Sequence, residues 1–295
     1  MYSDLLINLS KVIDNSSQEE ASEILAQYAS NRPFMLLDSG TKSQDIFNRA
    51  DTFRSCLDLI QDQDSKRILS NIIYFTAGIM PDSDSVEDRF EEVENLENAI
   101  KDFKDSDDDF AQRLIAIGPC GIDHDWDSVE YETRQHDYFD SNAINDEKDL
   151  FALQLTLGKK LNMPVIVHSR KGFKDTMDVI KAIKYNKGII HGFAYSQSEL
   201  QQFLDLGWYI SFSGTVTYSG KKMFSDAAEL VTYVPKDRIL IETDSPYYAP
   251  VPLKNEVNTP QNINYIYEYI ASKRGIAGHK LCDLVDANCK KLFNL

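Results

Sequence analysis

The sequence predicts an α/β protein folded as a (β/α)8 TIM barrel. Eight short apolar segments recur along the 295 residues, and each is too short for a helix. They do not alternate apolar with polar residues, which is typical of parallel strands buried on both faces. Segments with helical spacing lie between them. This repeated order favours a closed barrel over the competing architecture, a doubly wound open sheet.

The elements follow one another regularly. The predicted strands occupy residues 4–9, 33–40, 72–79, 114–121, 164–169, 188–193, 208–214 and 238–246. Helical spacing is clearest in residues 19–29, 148–161 and 173–183, and two C-terminal segments, NINYIYEYIASKRG and HKLCDLVDANCKKLF, predict closing helices. The length fits one barrel, so we expect a single domain over residues 1–295.

Charge limits the classes of partner. The net charge of −16 argues against a protein whose whole surface binds nucleic acid, because phosphate binding depends on clustered Lys and Arg. A small local basic pocket stays open. Much of the acid lies between residues 82 and 109, where apolar side chains at helical spacing predict one helix with a solvated face.

Cysteine usage and the N-terminus indicate the compartment. The four cysteines are scattered and form no CxxC pair, so we expect reduced thiols and a cytoplasmic protein. The first ten residues have no basic region and only a short apolar stretch, which predicts neither a signal peptide nor a membrane span.

Three possible metal ligands stand where predicted strands end. His168 ends the fifth strand, His191 the sixth and Asp244 the eighth. Barrel enzymes place their chemistry at these ends, so we expect the three side chains to converge. Imidazole and carboxylate together suit Zn²⁺, Mn²⁺ or Fe²⁺. Arg170 follows closely, and its guanidinium could hold a phosphate or form a structural pair.

The segment IGPCGIDHDW, residues 117–126, raises the question of a further ligand. Pro119 cannot ligate an ion. If its side chain points into the barrel, Cys120 must point outward, because successive strand residues face opposite sides. His124 lies beyond the strand and is freer to reach an ion.

Several segments carry a family resemblance. PVIVHSRKGFKDTMDVI, GIIHGF, ISFSG, RILIETDSPYYAP and NTPQNINYIYEYIA resemble, in the same order and with similar spacing, the TatD family of metal-dependent hydrolases. The resemblance runs from the first strand to the last helix. It implies an amidohydrolase-like (β/α)8 barrel with deoxyribonuclease activity, which is a 3′→5′ exonuclease activity in some members.

The sequence departs from the family at its metal ligands. The family's D-x-H-x-H, G-I-H-P and G-E-I-G-L-D-Y motifs would place ligands at four positions that carry other residues here: Leu6, Asn8, Met80 and Pro119. A two-ion mechanism cannot be assembled from what remains. The resemblance therefore implies at most one divalent ion, Zn²⁺, Mn²⁺ or Mg²⁺, at His168, His191 and Asp244, with His124 as an additional candidate. A site without any ion is the alternative.

Three functional hypotheses remain open. The first is a hydrolase acting on DNA or a small phosphodiester in a local pocket, with Asp244 as general base or third ligand and Arg170 on the phosphate. The second is a pseudoenzyme, a barrel that binds a ligand without catalysis. The third is an amidohydrolase-like enzyme with another substrate, since a fold does not fix a reaction. No membrane contact or particular protein partner is predicted.

Overall fold

A computed structural model describes residues 2–125, 141–218 and 227–295. Within these ranges eight parallel strands form one sheet in sequence order. The strands are β1 (Asp4–Ile7), β2 (Leu36–Asp38), β3 (Ile73–Ala77), β4 (Leu114–Asp123), β5 (Val165–Arg170), β6 (Gly188–Ile190), β7 (Tyr209–Phe212) and β8 (Ile239–Ile241).

The last strand returns to the first. Ile7 forms a parallel bridge with Ser245, just beyond β8. The Asn8 N–H donates to the Ser245 carbonyl at 2.9 Å, and the Asp244 N–H donates to the Leu6 carbonyl at 3.0 Å. These contacts close the sheet, so the prediction of a TIM barrel is confirmed.

Helices connect the strands. In the described ranges they are α1 (Leu9–Asp14), α2 (Gln18–Ser30), α3 (Ile46–Leu59), α4 (Gln63–Ile72), α5 (Ser83–Glu87), α6 (Arg89–Asp105), α7 (Ser141–Leu161), α8 (Phe173–Ile183), α9 (Gln197–Asp205), α10 (Ala227–Tyr233), α11 (Ile263–Arg274) and α12 (Gly278–Phe293). The predicted helical segments lie within α2, α7 and α8, and the two C-terminal segments form α11 and α12.

The acidic segment contains two helices, and the apolar side chains predicted at helical spacing all lie in the second, α6. Asp82 caps α5 by accepting the Ser85 N–H, and Asp88 leaves the helical conformation between α5 and α6 with φ −93° and ψ 21°. The break lets α6 bury Leu96, Ile100 and Phe103. Phe90, at the start of α6, is 64 % exposed.

The strands are buried on both faces. Every residue of β1, β2, β5, β6, β7 and β8 is buried. This explains their nearly continuous apolar sequences, since helices cover the outside of the barrel and side chains fill its inside. Each buried aliphatic side chain contributes about 1.5–3 kcal/mol to folding.

The four cysteines are buried as free thiols. Among the helices that the structure describes, none has the length and hydropathy needed to cross a bilayer. The cytoplasmic location stays a prediction.

A buried acid secures the junction of β1 and β8. Asp4 Oδ1 accepts the Thr243 N–H at 2.8 Å, and the Thr243 hydroxyl oxygen lies 2.6 Å from Asp4 Oδ2 and 2.9 Å from Ser245 Oγ. Burial raises the pKa of Asp4 to about 8, and the charge of Glu242 adds to this rise. The Thr243 hydroxyl has only one proton, so a protonated Asp4 can donate to Thr243 while Thr243 donates to Ser245.

We expect the contribution of Asp4 to stability to fall as the pH rises from about 4 to about 8, because in this window folded Asp4 holds a proton that the unfolded chain releases. Asp4→Asn removes this titration, and the slope it removes is at most about 1.4 kcal/mol per pH unit. Urea denaturation at a series of pH values measures the slope. Asp283→Asn, at an exposed carboxylate of α12, is the control. Equal slopes for wild type and Asp4→Asn contradict the expectation.

Candidate active site

A cavity of about 300 Å³ lies at the C-terminal ends of the strands. It brings together His168, His191 and Asp244 and the four positions at which the resemblance implies that ligands are replaced. Its lining includes Leu6, Asn8, Met80, Pro119, Asp123, His168, His191 and Asp244. In a closed eight-stranded barrel with this strand order, β1 lies opposite β5. Leu6 of β1 therefore lies across the mouth of the barrel from His168 of β5.

The two histidines contact each other directly. His168 Nδ1 lies 2.9 Å from His191 Nε2, which is hydrogen-bonding distance. Both rings are buried, with 2 % and 6 % of their residue surfaces exposed. The predicted meeting of His168 and His191 therefore brings one nitrogen of each ring into direct contact.

A carboxylate lies at the far nitrogen of each ring. Asp123 Oδ2 is 3.0 Å from His168 Nε2, and Glu242 Oε1 is 3.3 Å from His191 Nδ1. Glu242 also accepts the Gly192 N–H at 2.6 Å, which holds its carboxylate in place. Histidines that bind metals usually donate their other ring N–H to a carboxylate in this way.

The partners determine the tautomers. A proton on His168 Nε2, directed at Asp123, leaves His168 Nδ1 as an acceptor in the neutral ring. His191 Nε2 then donates to it, and a His191 that carries protons on both nitrogens also donates from Nδ1 to Glu242. The result is a hydrogen-bonded chain of four side chains, Asp123, His168, His191 and Glu242, in which one proton lies between the two rings.

The two rings differ in basicity. Burial lowers the pKa of His168 to about 4, against the opposing effect of Asp123. Burial also acts to lower the pKa of His191, but its hydrogen bond to Glu242 and the charges of Glu242 and Asp244 raise it above the ordinary value. His168 is therefore the neutral member of the pair.

Asp244 approaches the site from β8. Its backbone is in the left-handed region with φ 58°, which is uncommon for residues other than glycine, and the contact of its N–H with Leu6 holds it there. Burial raises the pKa of its carboxyl to about 7, and the neighbouring charge of Glu242 acts in the same direction. The third predicted side chain thus lines the same cavity as the histidines.

The end of β4 explains the puzzling loop. The ladder between β4 and β5 shifts register between Ile117 and Cys120, where Pro119 has no N–H to donate. Pro119 lines the cavity. Cys120 is fully buried in the hydrophobic core, and burial raises the pKa of its thiol well above its usual range. Pro119 thus lies on the cavity side, as the strand prediction supposed, and Cys120 does not line the cavity.

Gly121 is required where β4 meets β5. Its φ is +150°, and a Cβ built there would lie 1.9 Å from the His168 carbonyl oxygen. Gly121 pairs directly with His168 in the ladder. The close approach of the two backbones therefore sets the height of His168 relative to Asp123.

His124 is placed elsewhere. Its Nε2 lies 3.2 Å from Oε2 of Glu147, a fully buried residue of α7, while Glu147 Oε1 accepts the Asp123 N–H at 2.9 Å. The structure thus brings His124 to Glu147, and the role of His124 as a ligand stays a prediction.

Arg170 is buried beside an aromatic ring. Its guanidinium lies 5.3 Å from the centroid of the Tyr248 ring, and Nη2 donates to the Tyr248 hydroxyl at 3.1 Å. This pairing was the structural alternative considered for Arg170, and a phosphate contact stays a prediction. Lys171 forms an ion pair with Asp125.

The donor set does not fit two ions. Leu6, Met80 and Pro119 offer no ligand side chain, and Asn8 Oδ1 caps α1 by accepting the Lys11 N–H at 3.0 Å. In the three described ranges no group of three or more His, Cys, Asp or Glu side chains is arranged to hold an ion. The two facing ring nitrogens, with Asp244 in the same cavity, fit one ion at most.

Sequence reasoning missed three carboxylates of this site. Asp123 was considered only as part of a loop, and neither Glu242 nor Glu147 was singled out. Glu242 directly precedes the T-D-S-P segment after β8, which is a signal that could have identified it. Glu147 has no comparable signal, because it contacts Asp123 from a helix 24 residues away.

Comparison with known proteins identifies relatives. A family model described as "TatD related DNase" matches residues 13–294. An uncharacterized metal-dependent hydrolase of Escherichia coli K12, YcfH, is 34 % identical over 62 % of this chain and 63 % of its own length. One from Buchnera aphidicola is 32 % identical over 76 % of this chain and 78 % of that protein. A 3′-5′ ssDNA/RNA exonuclease TatD of Klebsiella pneumoniae is 31 % identical over 62 % and 66 %. The match to the first of these thus spans less than two thirds of its length.

Solved structures show the same fold. YjjV, a TatD homolog from Escherichia coli K12, superposes with a TM-score of 0.74 at 20 % identity over 99 % of this chain and 97 % of its own. An uncharacterized amidohydrolase from Saccharomyces cerevisiae gives 0.74 at 16 % identity over 99 % of both chains.

We expect Gly121→Ala to lower the free energy of unfolding by more than about 1 kcal/mol, because the added Cβ requires β4 and β5 to separate and the φ is unfavourable. Gly278→Ala is the matched control. A Cβ at Gly278, the first residue of α12, meets no atom within 4 Å, so stability stays equal or rises by up to about 1 kcal/mol. Thermal and urea denaturation measure both variants. A Gly121→Ala variant with the free energy of unfolding of the wild type would contradict the role assigned to Gly121.

Proposed function

The chain belongs to the family of TatD-related DNases, and from that premise we propose that it hydrolyses phosphodiester bonds, in DNA or in a small phosphodiester. At most one divalent ion, Zn²⁺, Mn²⁺ or Mg²⁺, would take part, held by His168 and His191. We also propose that residues 1–295 form one barrel domain. One observation carries it: the two ring nitrogens face each other, and each ring has a carboxylate at its far nitrogen.

The side chains divide the work as follows. Asp123 and Glu242 orient the two imidazoles through their hydrogen bonds. Asp244 acts as third ligand, or accepts the proton of the attacking water. Arg170 holds the phosphate, which requires its guanidinium to turn from Tyr248. A divalent ion at this place supplies Lewis-acid activation of water and of a phosphoryl oxygen.

A second candidate is a barrel that binds a ligand without cleaving it. The 2.9 Å contact between the imidazoles favours it, because a proton satisfies both rings when no ion is bound. The altered positions favour it as well, because Leu6, Met80 and Pro119 can be buried without polar partners. The two candidates differ in one measurable property, the binding of a metal ion.

We expect purified protein to bind no more than one equivalent of Zn²⁺ or Mn²⁺, and to cleave single-stranded DNA or bis(p-nitrophenyl) phosphate when the ion is present. His168→Ala removes one of the two ring nitrogens, so it should lower affinity for the ion by about 10–100-fold or more and abolish cleavage. Isothermal titration calorimetry and product release measure the two properties.

His279→Ala is the matched control, because His279 is exposed on α12. This variant should bind the ion and cleave as wild type does. Tight ion binding without cleavage of either substrate contradicts the hydrolase and leaves metal binding intact. Binding of no ion at all, with no cleavage, contradicts the hydrolase and favours the second candidate.

A further inference from the structure

Part of the cavity is apolar where the family has metal ligands. Leu6, Met80 and Pro119 all contribute to the lining, and Leu6 is only 3 % exposed. A phosphate or carboxylate placed against these side chains would lose its hydration without gaining a hydrogen bond, which is costly. The part of a ligand that fills this region must therefore be apolar.

Two lysines contribute to the same lining. The Lys11 side chain is 49 % exposed and pairs with the exposed Asp14 at 3.2 Å, a contact that is weak in water. The Lys42 ammonium has no hydrogen-bond or ion-pair partner among residues 2–125, 141–218 and 227–295, although its backbone is fixed. Asp45 accepts the N–H groups of Thr41 and Lys42 at 2.8 and 3.1 Å.

The acidic groups of the cavity are held by other contacts. Asp82 also contributes to the lining, but its carboxylate accepts the Ser85 N–H at 2.9 Å and caps α5. Asp123 and Asp244 lie with the histidines. Lys42, which also lines a neighbouring cavity with Asp45 and Asp82, forms no ion pair among the described residues, and Lys11 pairs only with the exposed Asp14.

We propose that the cavity binds a small organic anion, with an apolar body against Leu6, Met80 and Pro119 and a phosphate or carboxylate at Lys11 and Lys42. A volume of about 300 Å³ suits such a ligand. This inference goes beyond the proposed function, because binding in this manner requires neither a metal ion nor cleavage of a bond.

The experiment is calorimetric titration of the full chain in EDTA with phenyl phosphate, inorganic phosphate, phenol and benzoate. Phenyl phosphate should bind at least about ten-fold more tightly than inorganic phosphate or phenol, because it alone among the three has both an apolar body and an anion. Benzoate distinguishes the anions. An equal affinity supports recognition of organic anions in general, and a weaker one supports a phosphate ligand.

Matched variants test each half of the site. Lys42→Gln should weaken phenyl phosphate at least about five-fold without changing phenol, while Met80→Gln should weaken both phenol and phenyl phosphate. Lys280→Gln is the control, because Lys280 is an exposed residue of α12. This helix contacts Ser3 through Asp286 and Ile239 through Asn288, so it lies at the N-terminal ends of β1 and β8, away from the cavity. Thermal denaturation checks that each variant is folded.

The proposal is overturned if phenyl phosphate binds no more tightly than inorganic phosphate, or if Lys42→Gln and Lys280→Gln have equal affinities. Because EDTA excludes divalent ions, these outcomes are independent of the hydrolysis experiment. A chain that binds phenyl phosphate and cleaves nothing supports this inference and contradicts the hydrolase. A chain that cleaves substrate with a metal ion but shows no preference among the four compounds supports the hydrolase and contradicts this inference.

Discussion

The hydrogen bond between His168 Nδ1 and His191 Nε2 is the contact around which the mouth of the barrel is organised. It exists because β5 and β6 are neighbours in a closed sheet, and because carboxylates fix both rings from behind. The two ring nitrogens that are the proposed metal ligands share a proton in this arrangement. The two histidines and their two carboxylates therefore form a stable arrangement in the protein alone, since neither ring is left with an unsatisfied buried nitrogen.

The apolar part of the cavity wall avoids the cost of burying polar groups in a different way. A wall of imidazole and carboxylate groups is costly to bury when no ion compensates it. Leu6, Met80 and Pro119 avoid this cost because they bring no polar side-chain atom into the cavity. The polar half keeps its charges balanced by hydrogen bonds, and the apolar half has none to balance. The cavity has consequently become two-sided in its chemistry.

Sequence patterns predicted the barrel and the meeting of His168, His191 and Asp244, because the carboxyl ends of parallel strands share one rim. They could not predict which atoms face each other. Ring orientation depends on Glu242 and Asp123, whose contacts are made in space rather than in sequence. The break at Asp88 was also missed, since it depends on local capping that interrupts an otherwise continuous helical pattern.

Asn8 shows how the protein has settled around its losses. It stands where the family has a histidine, and its side chain now caps α1. Restoring that histidine would remove the cap, at a cost of about 1 kcal/mol, while Leu6 and Pro119 still withheld the other donors. A histidine at position 8 would thus cost stability at the start of α1. Capping of the helix and a metal-ligating side chain are therefore mutually exclusive uses of position 8.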